Sequence, residues 1–80
     1  MKPRVENSVA RSVERAVKEY LLTMDDQQVT DLYELVLTEV EAPLIESVLE
    51  FTGHNQSQTA SILGLNRGTL RKKLYKYGLL

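Results

Sequence analysis

Eighty residues with no cysteine and a formal net charge of −1 define one small domain without disulfides or thiolate metal ligands. A chain of this length buries only about 60–65% of its unfolded surface, yet 42% of it is hydrophobic, so part of the apolar surface is expected to be covered by a second copy. No stretch has the length of a membrane span, and MKPRVENSVA lacks the apolar run of a signal peptide.

Residues 1–7 (MKPRVEN) show no periodicity and are expected to form a mobile arm. From Ser8, a candidate N-cap, Val9, Val13, Ala16, Val17, Tyr20, Leu21 and Met24 recur at steps of three and four, which predicts an amphipathic helix of about 16 residues. Glu14 with Lys18 and Arg15 with Glu19 make opposite-charge pairs on its wet side. Asp25, Asp26, Gln27 and Gln28 form a polar connection, with Val29 tucked inward.

Asp31 followed by Glu34 signals the start of a long helix reaching Phe51 or Thr52, which Gly53 ends. Its first half is apolar on more than one face: Leu32, Tyr33, Leu35, Val36, Leu37 and Val40. Such a helix is buried on most sides, and a dimer interface at Leu32, Leu35, Val36 and Val40 is the expected cover. Pro43 predicts one kinked helix, the alternative being two helices breaking at Ala42. Tyr20 and Tyr33 are expected in the core, Tyr77 at the close of the last helix. The acidic residues of the two long helices read as a solvated outer face.

Residues 55–77 (NQSQTASILGLNRGTLRKKLYKY) have their own organisation. Asn55 with Gln58 forms a capping-box variant, and a helix from Gln56 to about Leu63 ends at Gly64. Asn66 caps a second helix from Arg67 to about Lys76, with Gly78 as stop signal. Two short helices around a central glycine predict a helix-turn-helix, with Ala60 at the crossing and Leu70 and Leu74 facing the core. Charge is segregated accordingly. Residues 1–54 carry 5 Lys/Arg against 11 Asp/Glu, a balance of −6; residues 55–80 carry 5 and none, a balance of +5. A basic second helix without an acidic partner points to duplex DNA. Gly68, with no side chain, suits close approach to a ligand.

Catalysis has no foothold. There is one His, no Cys and no ligand-spaced cluster. His54 beside Gly53 has no second ligand for a metal, and no cofactor or small-molecule substrate is expected.

The segments VTDLYELVLTEVEAPLIESVLEFT and NQSQTASILGLNRGTLRKKLYKYG resemble the bacterial Fis family of nucleoid proteins from about Val9 to Gly78. The resemblance implies an all-α protein: residues 8–53 a helical hairpin that intertwines into a homodimer core, residues 55–77 the helix-turn-helix. It implies a DNA-bending regulator of cytoplasm and nucleoid with weak sequence preference, favouring an A·T-rich centre, and RNA polymerase as a further partner. Asn66 and Arg67 match the positions that reach base edges; Asn55, Thr69, Arg71, Lys72, Lys73 and Lys76 match backbone and groove positions. Ser57 stands where relatives usually have Thr. Tyr75 replaces a basic residue, and the Gly53-His54 turn lacks the Arg of relatives. The residues before Ser8 are fewer than the arm that touches DNA invertases, which argues against recombinase activation. The rival expectation is a dimerising module of an enhancer-binding activator or adaptor; a short chain starting at Met1 favours the free-standing protein.

Overall fold

The computed structural model describes residues 8–23 and 30–80. Among them are four α-helices and no strand: α1 (Val9–Thr23), α2 (Leu32–Phe51), α3 (Gln56–Leu63) and α4 (Arg67–Lys76). The expected N-terminal arm, Met24 and the polar connection through Val29 lie outside the described residues. The chain divides between Val36 and Leu37 into two compact units.

In the first unit, α1 begins as its spacing predicts. Ser8 Oγ accepts a long bond from Arg11 N at 3.4 Å, and the Glu14–Lys18 pair closes at 3.5 Å. Val13 and Val17 are half-buried, while Val9, Tyr20 and Leu21 are exposed. Two expectations need correction. Tyr20 is not in a core, and Tyr33 is 78% exposed, because no described segment of this single chain covers either ring. Asp31 stands at the cap position, its carbonyl accepting from Leu35 N at 3.0 Å. Its φ of 59° is left-handed, however, whereas a side-chain cap needs extended backbone.

Helix α2 runs unbroken through Pro43. The proline removes one ladder bond, but the leucine- and glutamate-rich flanks sustain the helix on both sides.

The second unit holds the core. Ile45 and Leu49 of α2, Ala60 of α3, and Leu70 and Leu74 of α4 are buried together, with Leu63, Leu65, Tyr77 and Leu79 packed around them. Each fully buried aliphatic side chain contributes about 1.5–3 kcal/mol. Ile62, although at helical spacing, is exposed.

The ends of α2, α3 and α4 share one device. After α2, His54 N reaches Leu49 O at 2.8 Å and Gly53 N reaches Glu50 O at 3.1 Å; after α3, Leu65 N reaches Ala60 O at 2.9 Å and Gly64 N reaches Ser61 O at 3.2 Å. After α4, Leu79 N reaches Leu74 O at 2.8 Å and Gly78 N reaches Tyr75 O at 3.2 Å. This paired closure satisfies carbonyls that a helix end would otherwise orphan. At Gly64, φ is 74°, a conformation that would cost a side chain roughly 1–2 kcal/mol.

Candidate nucleic-acid interface

The start of α3 is fixed by side-chain caps. Asn55 Oδ1 accepts from Gln58 N at 2.9 Å, as the spacing predicts. The reciprocal bond is made differently: Asn55 N donates to Thr52 Oγ1 at 3.2 Å, so the residue that follows α2 supplies it. The same hydroxyl lies 2.8 Å from Thr59 Oγ1, which gives the fully buried Thr59 its polar partner. Asn55 and Ser57 are left exposed at the helix start, where backbone N–H groups and the helix dipole favour an anion.

A three-residue turn, Gly64 to Asn66, leads into α4. Asn66 is extended (φ −65°, ψ 145°) and its Oδ1 accepts from Gly68 N at 2.7 Å. The carbonyl end of the amide is thereby tied to the helix, which leaves both NH2 hydrogens and one carbonyl lone pair outside the cap bond. The bare backbone of Gly68 is approached from within the chain itself. A Cβ there would lie 3.2 Å from Asn66 Oδ1, so what comes close to the bare backbone is the chain's own cap.

Leu70 and Leu74 face the core, and this orients the rest of α4 by the helical period. Arg67, Thr69, Arg71, Lys72 and Lys76 are exposed. Arg71 Nη1 donates to Gln56 Oε1 at 3.3 Å, and its guanidinium carbon lies 5.9 Å from the Tyr75 ring centre. Two weak contacts thus hold one arginine, one of them to the face of an aromatic ring. Lys76 Nζ lies 5.4 Å from the Tyr77 ring centre.

Lys73 is placed otherwise. It is half-buried, and its Nζ lies 2.9 Å from Glu41 Oε2 on α2. Tyr77 OH donates to the other oxygen, Oε1. The tyrosine hydroxyl, then the lysine ammonium, hold the Glu41 carboxyl below its ordinary value; the carboxylate in turn pushes the Tyr77 hydroxyl up. The basic segment therefore does have an acidic partner, contrary to expectation, and Glu41 does not belong to a purely solvated face. Four residues on from Glu41 on the same helix is buried Ile45, and that spacing is the signal the sequence offers.

The site residues expected from sequence thus fall into groups. Asn66, Arg67, Thr69, Arg71, Lys72 and Lys76 come together on α4 and its cap, Asn55 and Ser57 on the start of α3, and Lys73 on the inner edge. Of the residues expected at a subunit contact, Leu35 is exposed, and Leu32, Val36 and Val40 are half-buried. Among the described residues no helix is long and apolar enough to cross a membrane, and no group of His, Asp or Glu is placed to hold a metal ion.

Two short helices packed across a closed apolar contact, a tight turn on a left-handed glycine, and a second helix whose outer face is cationic define a helix-turn-helix protein of the regulatory class. Residues 36–77 match the bacterial regulatory protein, Fis family, model. The chain is 54% identical over 68 residues to DNA-binding protein Fis of Haemophilus influenzae (strain PittEE), covering 85% of this chain and 69% of that protein. The same protein of Vibrio cholerae serotype O1 (strain M66-2) is 53% identical and that of Histophilus somni (strain 2336) 54% identical, over the same shares. The chain belongs to the Fis family. Membership in a family of regulators agrees with the expectation that it is not an enzyme.

Proposed function

We propose that this protein is a homodimeric DNA-binding and DNA-bending regulator of the bacterial nucleoid, with weak sequence preference. The observation that carries this is the outer face of α4, where Arg67, Arg71, Lys72 and Lys76 stand exposed in a segment of residues 55–80 that contains no Asp or Glu. The curated relatives bear the name DNA-binding protein Fis, which supports the same partner.

In this proposal Asn66 and Arg67 approach base edges, arginine being suited to guanine O6 and N7. Asn55, Ser57, Thr69, Arg71, Lys72 and Lys76 engage phosphates and fix the register. Lys73 contributes to the orientation of α4, since its ammonium is already on Glu41. Residues 8–53 dimerise through Leu32, Leu35, Val36 and Val40, and residues 55–77 bind the duplex. The family resemblance implies that the two recognition helices of the dimer lie closer together than one DNA turn; the duplex would then have to bend, which favours an A·T-rich centre through deformability rather than contact. The cytoplasmic nucleoid is the corresponding location. For a polymerase contact at the Gly53-His54 turn the only support is that both residues are exposed.

The test is affinity against salt. Neutralising about 6–10 phosphates per dimer gives log K a slope of about −5 to −9 against log salt. A slope near zero on random-sequence duplex overturns the proposal. Circularly permuted fragments, with and without an A·T-rich centre, then report bending.

A further inference from the structure

We infer that Glu41 is a positioning residue, which through Lys73 and Tyr77 sets the angle at which α4 lies across the α2 segment of the second unit. The inference rests on the function proposed above for its consequence, though not for its geometry.

The apolar contact of α4 with the core runs through Leu70 and Leu74, both fully buried. Burial of this kind is strong but non-directional, so two leucines one turn apart leave the helix able to rock about their contact. Lys73 and Tyr77 flank Leu74 and end on the two oxygens of one carboxylate, Lys73 at 2.9 Å. Charge-assisted hydrogen bonds are directional, and two of them reaching one acceptor from consecutive turns restrict that rocking. The Lys73 and Glu41 side chains remain 28% and 30% exposed. A half-solvated pair contributes little to stability, so its main effect is on orientation. In a dimer each recognition helix would inherit its angle from this clamp, and the separation of the two helices, hence the curvature demanded of DNA, would follow from it.

The absence of cysteine allows clean labelling. Spin labels at Glu46→Cys and Tyr75→Cys, both exposed and within the second unit, report the α2–α4 distance in dimers diluted with unlabelled protein. Glu41→Ala is expected to broaden or displace the distance distribution. Glu41→Gln, which keeps an acceptor for Tyr77, is expected to do so less, and the exposed carboxylate control Glu39→Gln not at all. Should Glu41→Ala fail to fold, Glu41→Gln decides. A distribution identical to the parent's in the Glu41 variants overturns the inference. On DNA, the Glu41 variants are expected to change the apparent bend at saturating protein, and Lys73→Met to leave the salt slope unchanged. Lys72→Met should make that slope shallower by about one for each phosphate left without its lysine. An unchanged bend, or Lys73→Met behaving as Lys72→Met, also overturns it. A parent protein that leaves DNA unretarded and straight overturns the proposed function instead, and the label distances alone then decide on Glu41.

Discussion

Thr52 and Thr59 face each other across the turn between α2 and α3, their hydroxyl oxygens 2.8 Å apart. Thr59 has no exposed surface, and Thr52 Oγ1 also accepts from Asn55 N at 3.2 Å. The two positions are therefore unequal. Thr59→Val removes one bond and is expected to cost about 1 kcal/mol, whereas Thr52→Val strands both a buried hydroxyl and a cap N–H and is expected to cost about 1–3 kcal/mol. Urea unfolding of both variants checks the order; equal costs would mean that the shared hydroxyl is not the joint's anchor.

The Glu41 cluster gives stability a defined dependence on pH. Glu41 is held below its ordinary 4.5, so the unfolded chain takes up the proton first as the solution is acidified. The contribution is complete above 4.5 and is lost as pH falls through the lower folded value. Tyr77 is raised above its ordinary 10.0, so its contribution is present below 10.0 and is lost as pH rises through the folded value. Because the pair is half-solvated the contribution is small, and Glu41→Gln is expected to make both limbs of a plot of urea midpoint against pH slightly shallower. A variant with the parent's acid limb would show that other carboxylates control it.

At the proposed subunit contact, Leu35 is 37% exposed in the single chain. Leu35→Glu would place a charge in an apolar seam, where an unpaired charge is costly. Loss of the folded dimer in sedimentation is expected, while the exposed Glu46→Gln should sediment as the parent does. An intact Leu35→Glu dimer would move the interface elsewhere.

Arg67 and Lys72 are expected to fail differently. Arg67→Ala should cost about 1–3 kcal/mol at preferred sites and flatten sequence preference. Lys72→Ala should weaken preferred and random duplexes alike. Titrations on both kinds of DNA separate them, and a uniform loss for Arg67→Ala would reduce that side chain to a phosphate anchor.

The helix-turn-helix is legible in the sequence because its signals are local. Asn55, Gly64 and Asn66 each specify backbone conformation within a few residues, and the bounds of α3 and α4 match the expected ones. Pro43 is ambiguous in sequence, since a proline interrupts or merely bends a helix according to what holds its flanks. Asp31 misleads because a cap-type residue followed by glutamate looks the same whether its backbone is extended or left-handed. The Glu41 clamp is half legible: the spacing to Ile45 turns Glu41 inward, but its partners lie 32 and 36 positions later in the chain, and no periodic pattern names them. Tyr33 reads as inward from its apolar neighbours, but a rule about faces does not say which chain supplies the cover.

The tether from Gly68 N to Asn66 Oδ1 also bears on selectivity. An amide so anchored has given up one of its acceptor lone pairs and kept both hydrogens, and in the proposed complex those hydrogens meet a lone pair on every Watson–Crick pair in the wide groove: N7 and O6 of G, N7 of A, O4 of T. Acting as the proposed base reader, Asn66 would then discriminate only weakly between base pairs, cytosine being met through the guanine opposite it. Tolerance of many targets would then be written into the way the helix begins.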